Sequence, residues 1–130
     1  LQASPVTFAG FRNQSEIVDA YVACDALVLP SDAGETWGLV VNESFACRRP
    51  AIVSDAVGCA ADLISEGETG FVFPSADFDA LASRLTQCTV TPQVLAKMGL
   101  AAHERILAYS PEIAADGIAQ AVHAVCRPRA

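Results

Sequence analysis

Four short apolar runs, "VTFAG" (residues 6–10), "ALVLP" (26–30), "AIVS" (51–54) and "FVFP" (71–74), are separated by longer stretches with helical spacing. Strands joined through helices in this way run parallel, because each helix carries the chain back across the sheet before the next strand begins. The alternation therefore predicts an α/β fold with a parallel sheet of about four strands, and excludes all-helical and antiparallel designs.

The connecting stretches fit that plan. Ser15 is placed to cap "EIVDAYVAC" (16–24), where Ile17, Val18, Tyr21 and Val22 share one face that would pack on a sheet. The run at 26–30 is apolar on both faces and stopped by Pro30, as in a fully buried strand. A helix over about 38–47 buries Leu39, Val40, Phe45 and Ala46, and "CAADLI" (59–64) forms a shorter one. "SEGETG" (65–70) reads as a turn in which Gly67 and Gly70 supply positive φ. Asp77 caps a helix over 78–88, and two more span about 93–109 and 111–125. No repeat or linker interrupts the pattern, so residues 1–130 form one domain.

Length and charge narrow the partners. A chain of 130 residues with 52% hydrophobic content buries a sizeable core. A net charge of -7 argues against nucleic acid and against bulk attraction to anionic membranes, so an anionic ligand has to be held by local geometry. The five cysteines are odd in number and irregularly spaced, which points to reduced, buried thiols and a cytoplasmic setting. No apolar run reaches the roughly 18 residues of a spanning helix. The opening "LQASP" has neither a basic signal region nor an initiator methionine, so the expectation is a piece of something longer, with membrane association left to other regions.

The stretch "GETWGLVVNE" (34–43) places Glu35 and Glu43 eight residues apart, one in the loop after a strand and one about a turn into the next helix. Ligands of open parallel sheets bind at the carboxyl ends of strands, where helix N-termini present free amides. Gly34 and Gly38 let a ligand approach the backbone, and the amides of about Trp37 to Val40 suit a phosphate or pyrophosphate. Glu43 offers two oxygens to adjacent hydroxyls such as those of a ribose, and Glu35 is placed for hydroxyls beyond the phosphates. Acids early in a helix also favour the macrodipole without any ligand.

The run from Gly34 to Leu85 resembles the donor-binding half of the retaining, nucleotide-sugar-dependent glycosyltransferases of GT-B fold, the glycogen-synthase and sucrose-synthase-like group. The glutamates match the family's Glu-x7-Glu, and Cys47, Pro50, Ser54, Asp55, Gly67, Thr69 and Gly70 follow in order and spacing. The resemblance covers nearly the whole chain and implies a Rossmann-like sheet truncated at its N-terminal side. It implies that Glu35 contacts the donor sugar, that Glu43 holds the ribose, and that Gly38, Leu39 and Val40 meet the pyrophosphate or sugar. Trp37 stands where the family usually has Phe, a change of bulk that would tune donor choice. Arg12, beside Phe11, falls where the family recognises the base, although a solvated arginine fits equally well. The resemblance implies a nucleotide diphosphate sugar as substrate, with no metal and no further cofactor.

The family's cationic partners for the leaving diphosphate come from a loop before the first strand, and Lys97, the only lysine, does not match them. The resemblance implies that the acceptor, a sugar or lipid, is bound by an N-terminal domain. The expectation is therefore a retaining enzyme as the full-length protein, and an isolated chain that does not turn over donor. The truncated sheet is expected to repair itself, with residues 6–10 parallel against 26–30 and the new edge buried in a homodimer. Arg48 and Arg49 are read as complementing the C-terminus of their own helix, and His103 and His123 as packing or surface residues. Two alternatives stand beside this reading. A receiver-like regulatory module needs an acidic pair after its first strand, which "VTFAGFRN" does not offer. A sugar-nucleotide epimerase needs its own catalytic acids.

Overall fold

The computed structural model describes residues 6–89 and 92–126. Its order is α1 (Ile17–Ala23), β1 (Leu27–Leu29), α2 (Leu39–Ala46), β2 (Ala51–Ser54), α3 (Ala60–Leu63), β3 (Gly70–Phe73), α4 (Phe78–Thr89), α5 (Pro92–Ile106), a 3₁₀ turn (Leu107–Tyr109) and α6 (Pro111–Val125). The sheet is parallel with order β1-β2-β3, and pairs Leu27 with Ala51 and Ala51 with Gly70.

All four residues of β2 are buried because the strand is sandwiched on both faces. Ala51 and Val53 face a cluster with Val41 and Phe45 of α2, Leu63 of α3 and Ala102 of α5. Ile52 faces the opposite side, with Phe73 of β3 and Cys88 of α4. A strand without an exposed face reads as a continuous apolar run, which is why "AIVS" was legible.

The expected fourth strand is absent. Residues 6–10 form no strand and lie exposed, with Phe8 95% accessible, so they do not pair with β1 and the predicted repair of the sheet does not occur. β1 is consequently an edge strand rather than a fully buried one, and its Val28 is 37% exposed. α1 packs on α2, with Val18 and Val22 exposed and only Tyr21 buried, in place of the expected apolar face against the sheet.

Local chemistry sets the element ends. Asn13, not Ser15, organises the start of α1, its side-chain oxygen accepting from the Ser15 amide (3.0 Å), the Ser15 hydroxyl (2.7 Å) and the Glu16 amide (3.1 Å). Asp77 caps α4 as expected, accepting from the Ala80 amide at 2.8 Å. Of the two turn glycines only Gly67 takes positive φ, +74°. Gly70 is bare for a different reason: a Cβ there would overlap the Ala51 carbonyl of the neighbouring strand. Thr69, between them, is buried and donates to the Leu63 carbonyl while accepting from the Ser65 amide, both at 2.8 Å. Ser54 donates to the Ser31 carbonyl, and Asp55 accepts from the Ser75 amide at 2.8 Å, so this pair ties together the carboxyl ends of all three strands.

All five cysteines are free. Cys59 is fully buried, and burial pushes its thiol up to about 11 from the ordinary 9.0. The folded state thus favours the protonated thiol: its contribution to stability is whole below pH 9 and declines as pH rises toward 11. Alkylation of the native protein at pH 7.5 is expected to modify exposed Cys126 and to reach Cys59 and Cys88 only after denaturation. Peptide mass spectrometry checks this, and rapid native labelling of Cys59 would contradict the core described above.

Candidate functional site

The loop that leaves β1 and enters α2 carries the residues singled out by sequence. It is shaped by close backbone contact with the turn at 57–59. The Gly58 amide donates to the Glu35 carbonyl (3.3 Å) and the Cys59 amide to the Trp37 carbonyl (2.8 Å). Gly58 has no room for a Cβ, which would lie 2.6 Å from the Thr36 carbonyl carbon. Gly38 is the N-cap of α2 in a left-handed conformation, φ +96°, and a Cβ there would press within 2.9 Å of Val57. Both contacts fix where the loop stands, and the first amides of α2 are left without intrahelical acceptors.

The site residues are distributed along this loop and helix. Glu35 is half-buried in the loop, Leu39 is 67% exposed at the first position of α2, and Val40 is half-buried behind it. Trp37 turns inward: its indole N–H donates to Asn42 Oδ1 at 2.9 Å, and its ring packs against Tyr109 at 6.2 Å between centroids. It therefore braces α2 against the segment before α6. Arg12 is exposed in the irregular segment before α1.

Glu43 is on the side of α2 that faces α1. Its Oε2 accepts a 2.7 Å hydrogen bond from the Tyr21 hydroxyl, beside a recess of about 250 Å³ that Gln14, Ile17 and Cys47 help to line. Burial, and next the bond to Glu43, raise the Tyr21 phenol above its ordinary range, so it remains a proton donor at neutral pH. The arginines after α2 have different fates. Arg48 is exposed with φ +58°. Arg49 donates through Nε to the Tyr21 carbonyl (3.1 Å) and through Nη2 to the Val22 carbonyl (2.6 Å). It thus satisfies the C-terminus of α1, not of its own helix, and clamps α1 onto α2.

Sequence reasoning missed Tyr21 and Gly58. Tyr21 lay within an apolar stripe and read as packing. For Gly58 the only signal was a glycine just after a buried strand.

The family model of the group 1 glycosyl transferases matches residues 2–105. The chain belongs to that family. The sulfoquinovosyl transferase of Arabidopsis thaliana is 32% identical over 108 residues, which are 81% of this chain and 21% of that protein. Sucrose-phosphate synthase from Thermosynechococcus elongatus superposes with a TM-score of 0.72 at 31% identity, covering 82% of this chain and 26% of that one. Anabaena HepE, in complex with UDP and glucose, superposes with a TM-score of 0.76 at 26% identity, covering 91% and 32%. The sheet and helices are thus the Rossmann-like architecture of GT-B glycosyltransferases, and the chain spans about a quarter of the length of these relatives. No helix among the described residues is long and apolar enough to cross a membrane.

Proposed function

We propose that the chain is the donor-binding part of a retaining glycosyltransferase, holding a nucleotide diphosphate sugar between the 34–38 loop and the start of α2. The observation that carries this reading is the placement of Glu35 and Glu43 on either side of a glycine-capped helix start at the carboxyl end of a parallel strand, in a member of the group 1 family. HepE, with UDP and glucose bound, supports the ligand class.

In this reading the diphosphate meets the amides of Gly38, Leu39 and Val40, Glu43 accepts from the ribose hydroxyls, and Glu35 accepts from a hydroxyl of the sugar. Transfer proceeds on one face of the anomeric carbon, with the leaving phosphate helping to deprotonate the acceptor. No carboxylate of the chain serves as a covalent nucleophile, and its contribution is positioning and charge stabilisation.

Calorimetry with UDP, GDP and ADP tests it. Glu43→Ala is expected to weaken the best nucleotide by about 1.5–3 kcal/mol, the range for a hydrogen bond to a charged group. Glu35→Ala leaves the free nucleotide nearly unaffected and weakens only the nucleotide sugar. Undiminished nucleotide affinity in the Glu43 variant would sink the ribose assignment, and equal losses with and without the sugar would show that Glu35 does not touch it.

A further inference from the structure

We infer that Tyr21 is a positioning residue for nucleotide binding, holding the Glu43 side chain in the one orientation from which it can accept both ribose hydroxyls. This rests on the ribose assignment of Glu43.

A glutamate on an exposed helix surface has three side-chain torsions to restrict on binding, and fixing them opposes association. Here part of that restriction is already imposed. Tyr21 is only 6% exposed, and its hydroxyl reaches Glu43 Oε2 at 2.7 Å across 22 residues of sequence. The tyrosine is itself immobilised, because its backbone carbonyl accepts from Arg49 Nε (3.1 Å) and from the Cys24 thiol (3.2 Å). The chain of support runs from the end of α2, through Arg49 and the last turn of α1, back to the middle of α2. One oxygen of Glu43 stays wholly available, and Oε2 keeps a second lone pair.

Two features favour positioning over plain packing. Phenylalanine would fill the same space, whereas a part-buried hydroxyl costs free energy unless it is partnered. The partner is also an uncharged donor. The only ion pair among the described residues joins Arg84 to Glu66 (2.6 Å), so no cation is paired with Glu43. A salt bridge in that place would compete with the ribose for the same oxygens.

The experiment compares UDP, GDP and ADP with their 2′-deoxy counterparts by calorimetry on the full chain, for the native sequence, Tyr21→Phe, Glu43→Ala and the double variant. The native protein should prefer the ribonucleotide of its best pair by about tenfold or more. Tyr21→Phe should reduce that preference three- to tenfold while leaving deoxynucleotide affinity within twofold. The double variant should be no worse than Glu43→Ala, because both substitutions remove one interaction. A Tyr21→Phe protein that melts lower but keeps the full ribose preference would show a packing role only and overturn the inference, as would additive losses in the double variant. Retention of the preference in Glu43→Ala would instead overturn the ribose assignment itself, whatever Tyr21→Phe does.

Discussion

Phe45→Ala is expected to destabilise the protein by about 3–5 kcal/mol, the cost of deleting a buried aromatic ring and leaving most of its volume empty. Phe45 is fully buried, at the centre of the cluster that joins α2 to β2, α3 and α5. The surroundings have little freedom to close over the cavity. Ser44 next to it donates to the Arg49 carbonyl at 3.1 Å, and the backbone of Arg48 is locked against α5, where Gly99 leaves no room for a Cβ. Urea unfolding should show the loss as a lower midpoint at unchanged slope. Phe45→Leu, which refills most of the volume, should cost about 1.5 kcal/mol or less. A loss below 1 kcal/mol for the alanine variant would mean that α2 repacks freely, and the positions of Glu35 and Glu43 could then not be regarded as set by the core.

What sequence revealed, and what it hid, follows from the range of the interactions concerned. β2 was legible because burial on both faces writes itself into consecutive residues. The placement of Glu35 in the loop and of Glu43 about a turn into α2 was legible because it depends only on where the strand stops and the next helix starts. "VTFAG" has equally good strand composition, yet residues 6–10 form no strand, since a strand is completed by its neighbour and none lies alongside. Arg49 was assigned to the nearest helix end in sequence, whereas the carbonyls it meets are 27 and 28 residues away. Tyr21 is the same case: of the stripe Ile17, Val18, Tyr21 and Val22 it alone is buried, and the acceptor at its tip belongs to another helix. Side-chain pairing between elements leaves no local periodic trace, and the support of the candidate site depends on it.

Gly58→Ala is expected to impair both stability and ligand binding, although residue 58 is itself exposed and no ligand role is assigned to it. The new methyl would overlap the Thr36 carbonyl oxygen and lie 3.1 Å from the Trp37 amide nitrogen. These are backbone atoms, so no flexible side-chain end can yield; either the 57–59 turn or the 35–37 loop must move. Movement breaks the bonds from Gly58 to Glu35 and from Cys59 to Trp37, at 3.3 and 2.8 Å. Overpacking of this kind costs about 1–3 kcal/mol, and losing two loop bonds brings the expected total to about 3 kcal/mol or more. Because Glu35 and the start of α2 travel with the loop, nucleotide-sugar affinity should fall further than in Glu35→Ala, which removes one side chain and leaves the backbone in place. Gly117→Ala is the control: a Cβ there meets nothing within 4 Å, and an exposed helical glycine replaced by alanine should gain about 0.5–1 kcal/mol. Urea unfolding and calorimetry on the two variants separate the effects. A Gly58→Ala protein of native stability with undiminished nucleotide-sugar binding would show that the turn does not hold the loop, and the rigidity assigned to the donor site would have to come from α2 alone.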